Sequence, residues 1–413
     1  MSPPFSSHTL SNGLKIVVEH MPGVNTAAAG FLARTGARDE VPSLAGVSHF
    51  LEHMCFKGTP NRTARQINLD FDNLGGHPNA FTSQDRTLYH AVTRASDVDK
   101  QIDILADMMR STLVPEEFET EKQTVLNEIA MSHDHLEYVA FDLVLDKVFA
   151  GHSLRWPVLG YEDAIAAMSR DQMNDYFQQH YAPDNMILLC AGNVDPQQVF
   201  TTAGRCCGQW EPSGLRRKRR PPTIRTGIAA KQVDRFNQQV IALCFAGPPA
   251  VDTMHDTAEA TAIILGGDNS RLFWNVVQTG LSSRAGAWRL EYEDCAMLIL
   301  FGITEPQNAE KLTDALRAEA ARISHEPVAD HEIQRVKNKQ RTGLAVEGES
   351  PPHRLNQITD DVDYRGRPRT VEQRVAQVEA ISARTISECL ERYPIDGDGY
   401  LISVGPRDWP ASS

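Results

Sequence analysis

A chain of 413 residues has room for two or three domains of roughly 150 residues each. Its 41% hydrophobic and 23% charged residues exclude a mainly disordered protein. The net charge of −13, with five positive charges gathered between Arg216 and Arg220, excludes a bulk nucleic-acid binder. No apolar run approaches the roughly 20 residues of a membrane span. The N-terminus shows neither a secretory signal nor an Arg-rich presequence. Seven scattered cysteines with no CxxC pair read as reduced thiols, and together these features point to the cytoplasm.

In chain order, Leu10 to Val18 carries a turn at Asn12-Gly13 and then a β-branched run, the mark of a strand. Thr26 to Thr35 is a second expected strand. Leu44 to Lys57 reads as a helix stopped by Gly58. Gly75-Gly76 and Pro78 mark a turn, and Ala80 to Val92 is expected to be strand. Val98, Ile102, Leu105, Met109 and Leu113 fall on one helical face. A further helix runs from Pro115 to about Ser132. Residues 211–227, rich in Pro, Gly and basic side chains, are expected to be an exposed linker with a solvated Arg/Lys run. Beyond it, strands at Gln239–Ala246 and Ala296–Gly302 alternate with helices at Asp256–Leu265, Arg271–Val277, Glu305–Ile323 and Asp330–Leu344. The fold class is therefore α+β, with two structurally related domains, each a mixed sheet packed with helices. The expected boundaries are 1–210 and 228–413.

The sharpest feature is His49-Phe50-Leu51-Glu52-His53. On a helix, His49 and His53 stand one above the other, and Glu52 shares their face. That spacing allows two imidazoles to hold one metal ion, and the order HxxEH is the inverzincin motif. Between Leu44 and Phe56 the only formally charged side chain is Glu52. A His-Glu-His face on so apolar a helix needs a partner, and a metal with bound water supplies one. A pair of hydrogen-bonded core histidines is the alternative. A catalytic zinc needs a third protein ligand. Glu121 and Glu128 lie within the apolar stripe of Phe118, Val125 and Ile129, where an acid must be paired or bind metal. A buried salt bridge would also satisfy them, and His133 and His135 compete as ligands.

The chain resembles the M16 metallopeptidases, the pitrilysin and mitochondrial processing peptidase family, in its short two-domain branch. The resemblance rests on Leu10-Ser-Asn-Gly-Leu, on His49 to Thr59, on Gly75-Gly-His-Pro-Asn-Ala-Phe-Thr82 and on Thr87-Leu-Tyr89. The Glu121/Glu128 pair and His180-Tyr-Ala-Pro-Asp-Asn185 add to it. It implies a LuxS/MPP-like metallohydrolase fold and one zinc ion per chain, held by His49, His53 and Glu128. Glu52 would be the general base, and Glu121 a second acid steadying the site. Asn79, Ala80 and Phe81 would offer a strand edge to an extended peptide, and Phe56 would line a substrate pocket. The implied activity is zinc-dependent cleavage of short unfolded peptides in a chamber between two domains.

The resemblance is incomplete in the second half. Ser270-Arg-Leu-Phe273 and Gly280-Leu281 are present, but the family's Arg, Glu and Tyr fall on Val277, Gln278 and Ser283. Arg284 and Arg289 lie nearby out of register. The expectation is a zinc-bearing subunit whose homologous partner supplies the Arg/Tyr pair. A non-catalytic assembly subunit that retains zinc is the alternative, followed by a zinc hydrolase acting on a non-peptide substrate.

Overall fold

The computed structural model describes residues 4–217 and 219–410. The first three residues, and Lys218 within the basic run, lie outside the described residues. The first half contains β1 (Phe5–Thr9), β2 (Lys15–His20), β3 (Thr26–Ala33), α1 (Val47–Cys55), α2 (Ala64–Leu74), β4 (Asn79–Thr82) and β5 (Thr87–Arg94). It continues with α3 (Val98–Met108), α4 (Pro115–His133), α5 (Leu136–Val148), α6 (Glu162–Ala167), α7 (Arg170–His180), β6 (Met186–Gly192) and α8 (Pro196–Cys207). The second half contains β7 (Gly227–Gln232), β8 (Gln239–Gly247), α9 (His255–Gly266), β9 (Arg284–Glu291), β10 (Ala296–Thr304) and α10 (Ala309–His325). It ends with α11 (Asp330–Gly348), α12 (Pro351–Arg365), α13 (Val371–Glu379), α14 (Ala383–Arg392) and β11 (Tyr400–Gly405).

Two sheets form, with strand orders β1-β2-β6-β3-β5-β4 and β7-β11-β8-β10-β9. In both, one parallel pair is followed by three antiparallel ones: β2 runs parallel to β6, and β7 parallel to β11. The two related α+β layers expected from the sequence are therefore present. Among the described residues no helix is long and apolar enough to cross a membrane.

The chain divides into two compact units that are discontinuous in sequence. One takes the described residues of Met1–Ala130 with Trp156–Arg219 and Ala345–Thr370; the other takes the described residues of Met131–Arg155, Arg220–Leu344 and Val371–Ser413. The expected cut at 210 and 228 misses this exchange of helices. In the first unit, Leu355, Ile358 and Val362 of α12 cover Val17, Leu32, Leu88 and Leu189 of the sheet. In the second, Val139, Ala140, Val144 and Val148 of α5 cover Val240, Ala242 and Ile299. Periodicity shows which face of such a helix is apolar, but not which sheet receives it.

Two further expectations change. Ala80 to Val92 is not one strand but the β4–β5 hairpin. Ser83 N–H donates to Arg86 O at 2.8 Å, and Ser83 Oγ to Arg86 O at 3.1 Å, closing a turn through Gln84 and Asp85. Ala37 N–H donates to Ser83 O, and a Cβ on Gly36 would lie 2.2 Å from that oxygen, so only glycine allows the approach.

The basic run is not solvated throughout. Arg217 and Arg219 are 11% and 8% exposed and dock on acids of the first unit. Arg217 reaches Asp363 at 3.3 Å, and Arg219 reaches Asp85 at 2.8 Å and Asp39 at 3.4 Å. Those acids lie far away in sequence, so the run looked unpartnered.

Candidate metal centre

Helix α1 is fixed at both ends. Gly46, at its N-cap, adopts φ +96°, and a Cβ there would sit 2.7 Å from Leu159 O. The buried carboxylate of Glu40 accepts Gly46 N–H at 2.7 Å and Ser48 N–H at 2.8 Å, supplying partners the first turn otherwise lacks. Burial pushes the Glu40 pKa up to about 8, although those amide donors favour its charged form. Past the other end, Ser111 Oγ donates to Met54 O at 2.9 Å and Gly58 O at 3.1 Å. Val47, Phe50, Leu51 and Met54 are fully buried in the core, and Phe50 lies 4.9 Å from Phe118 of α4, centroid to centroid. That packing sets α4 against α1.

As a result, His49, His53 and Glu128 offer ligand atoms that all lie within 4.8 Å of one another. His49 Nε2 is 3.7 Å from Glu128 Oε2, and His53 Nε2 is 3.6 Å from the same oxygen. Ligands at about 2.0–2.1 Å from a tetrahedral zinc lie about 3.3 Å apart, so shifts of a few tenths of an ångström would suit the ion. Burial, then the neighbouring His53, lowers the His49 pKa to about 4, which keeps its ring neutral and able to ligate. The buried His49 Nδ1 has no hydrogen-bond partner. The donor set of two imidazoles and one carboxylate fits zinc.

Glu121 and Glu128 separate into different positions. Glu121 Oε2 lies 3.1 Å from His53 Nδ1, and Lys57 Nζ lies 2.5 Å from Glu121 Oε1. Burial pushes the Glu121 pKa up, but the bonds from Lys57 and His53 more than offset it and leave it lowered. A carboxylate accepts only, so Nδ1 is the donor in that contact, which leaves Nε2, on the Glu128 side, as the nitrogen to offer a metal. His133 and His135 are exposed and do not join the cluster.

Glu52 is half-buried on the same helix. Burial raises its pKa, while Thr82 Oγ1 donates to its Oε2 at 2.6 Å and opposes the rise. Thr82 ends β4, the strand at the edge of its sheet. Asn79 and Phe81 are exposed, while Ala80 packs on the core. Phe56 also packs partly on the core, its ring centroid 6.3 Å from that of Tyr89.

Sequence reasoning gave no role to Thr82 or Lys57, although both stand inside its motifs, and it passed over Glu40. Thr82 had a signal: it shares the strand face of Ala80 by alternation. Glu40 had none, because its capping depends on how the chain from 41 to 45 turns.

In the second unit, Val277 ends a short π-helical turn, Phe273–Val277, within the stretch expected to be helical. Ser283 pairs its N–H with Ile303 O at 2.9 Å. Arg271 is committed to Glu332, with two bonds of 2.8 Å. Arg289 is buried and donates to His255 O and Pro248 O, with Glu291 at 3.2 Å. Arg284 is 68% exposed, with its nearest acid, Glu137, at 3.9 Å.

Comparison with known proteins agrees with this architecture. The family model described as "Insulinase (Peptidase family M16)" matches residues 15–162, and "Peptidase M16 inactive domain" matches residues 167–340. An uncharacterized zinc protease of Rickettsia bellii is 30% identical over 412 residues, covering 99% of both chains. One of Bacillus subtilis is 29% identical over 402 residues, covering 97% of this chain and 98% of its own. The crystal structure of a protease from Helicobacter pylori superposes with a TM-score of 0.91 at 22% identity, covering 98% of this chain and all of that one. A peptidase M16 inactive domain from Pseudomonas fluorescens gives 0.89 at 14% identity, covering 98% of each.

Proposed function

We propose, because this chain belongs to peptidase family M16, that it is a zinc-dependent endopeptidase cleaving short unfolded peptides. The observation that carries the proposal is the convergence of His49, His53 and Glu128, with Glu52 tied to the edge strand β4. Zinc held by those three residues supplies a Lewis acid and lowers the pKa of water toward about 7. Glu52 is the general base: it takes a proton from the attacking water, and its burial makes the carboxylate a better acceptor. Glu121 holds the His53 ring, and Lys57 holds Glu121. An extended peptide pairs its backbone with β4, which selects extension more than sequence. The chamber that limits substrates to short unfolded chains belongs to the same proposal.

The chain acts, on this reading, as the zinc-bearing subunit of a heterodimer. Val277 and Ser283 supply neither a guanidinium nor a phenol, and Arg289 is committed to its own unit. A missing carbonyl-polarising donor costs about 10²–10³ in rate, so a homologous subunit carrying Arg and Tyr should raise cleavage by that factor. The same two residues favour the alternative of an assembly subunit that binds without cleaving. Peptide cleavage by the zinc-loaded chain, alone and with such a subunit, decides the matter when Glu52→Gln is run beside it. Cleavage in the mixture that Glu52→Gln abolishes while zinc and partner remain bound supports the peptidase. Equal residual hydrolysis in both forms refutes it.

A further inference from the structure

We infer that Thr82 is a positioning residue that holds Glu52 in place from the strand that receives the peptide; this rests on the peptidase reading above. The argument starts from the hairpin. Ser83 N–H donates to Arg86 O, and bonded pairs alternate along an antiparallel ladder. Phe81 with Leu88 and Asn79 with His90 are then the bonded pairs toward β5, in the observed register. Ala80 and Thr82 turn their backbone N–H and C=O groups to the open edge. The Ala80 N–H fits this, since it donates to Asn79 Oδ1 at 2.9 Å. A peptide laid on β4 therefore pairs with Ala80 and Thr82.

The side chain of that same Thr82 donates to Glu52 Oε2 at 2.6 Å. Its one proton goes there and not to the Thr87 hydroxyl, because Glu52 Oε2 is far nearer than Thr87 Oγ1, which lies 3.4 Å away and gives its own proton to Thr35 O at 3.1 Å. One residue thus offers its backbone to the peptide and its hydroxyl to the base. A general base acts only within hydrogen-bond reach of the proton it takes. The strand that receives the peptide therefore also fixes where that base points.

The test compares Thr82→Val, which keeps the shape and loses the hydroxyl, with Thr82→Ser, which keeps the hydroxyl. Both are made in the full chain and assayed with the homologous subunit present. Thr82→Val should lower kcat about 10- to 100-fold with KM within about twofold, at unchanged zinc content. Thr82→Ser should recover kcat to within about threefold of wild type. In a Glu52→Gln background, where peptide binds uncleaved, Thr82→Val should leave its affinity unchanged. Full kcat in Thr82→Val, failure of Ser to rescue, or a loss confined to KM and peptide affinity overturns the inference while the peptidase reading stands. A wild-type mixture that cleaves nothing overturns both.

Discussion

Replacing Glu121 by alanine removes the acceptor at His53 Nδ1 without touching the three proposed metal ligands. In wild type that contact is 3.1 Å, and Lys57 holds the other carboxylate oxygen at 2.5 Å. A hydrogen bond to a charged group contributes about 1.5–3 kcal/mol, or roughly a 10- to 150-fold change in an equilibrium. Partners that orient metal-bound histidines are worth about 10- to 100-fold in metal affinity, which agrees. No extra penalty arises from Lys57, which is 28% exposed and can turn to water. Zinc affinity should therefore fall about 10- to 100-fold in Glu121→Ala. Competition of the purified chain against a chromophoric zinc chelator measures it, with His53→Ala as the variant that loses stoichiometric binding. Lys57→Met, which leaves Glu121 in place, should lose less than Glu121→Ala. Zinc affinity within about twofold of wild type in Glu121→Ala would refute the view that this carboxylate sets the His53 tautomer.

Arg354 is fully buried and makes two 2.8 Å bonds to Glu19, so Arg354→Met should cost about 3–5 kcal/mol in urea unfolding, and adding Glu19→Gln should recover part of it. His180 stacks on Tyr176 at 4.1 Å, and burial lowers its pKa to about 4. The unfolded chain then binds the extra proton between about pH 6.5 and 4, so stability is full above that window and falls through it by up to about 3 kcal/mol. His180→Gln should flatten that limb of the stability–pH curve relative to wild type. Zinc at 100 times its Kd adds about 2.7 kcal/mol, so a chelator should lower the Tm of wild type and leave that of His49→Ala unmoved.

The cluster of His49, His53 and Glu128 was legible because its members come from two helices whose patterns are local. His49, Glu52 and His53 share one turn, and Glu121 and Glu128 break an otherwise apolar stripe. What separated the roles of the two glutamates was packing: the contact of Phe118 with Phe50 turns Glu128 to both imidazoles and Glu121 to the far side of His53. The hairpin at Ser83–Arg86 was read through because its turn has no glycine or proline; the serine hydroxyl and the contact with Ala37 stabilise it instead. The helix exchange and the docking of Arg217 and Arg219 were not legible, since each depends on partners more than a hundred residues away.

The two sheets show what the fold leaves open. From the parallel pair onward both have the same strand directions, and in each a helix follows the first strand paired antiparallel to that pair: α1 after β3, α9 after β8. On α1 the polar face is His49, Glu52 and His53. On α9 it is His255 and Glu259, one turn apart, facing the edge strand β9. There a fixed cation is already supplied: Arg289 of β9 lies 3.7 Å from Glu259 and 3.2 Å from Glu291, and Glu291 in turn is 2.8 Å from His255. A guanidinium satisfies acids that would otherwise invite a metal, and it cannot deprotonate or exchange ligands. The same architecture thus yields an open ligand set in one unit and a closed ion cluster in the other. On this argument Arg289→Ala should destabilise the second unit without creating peptidase activity, since α9 lacks the second imidazole that α1 carries at His53.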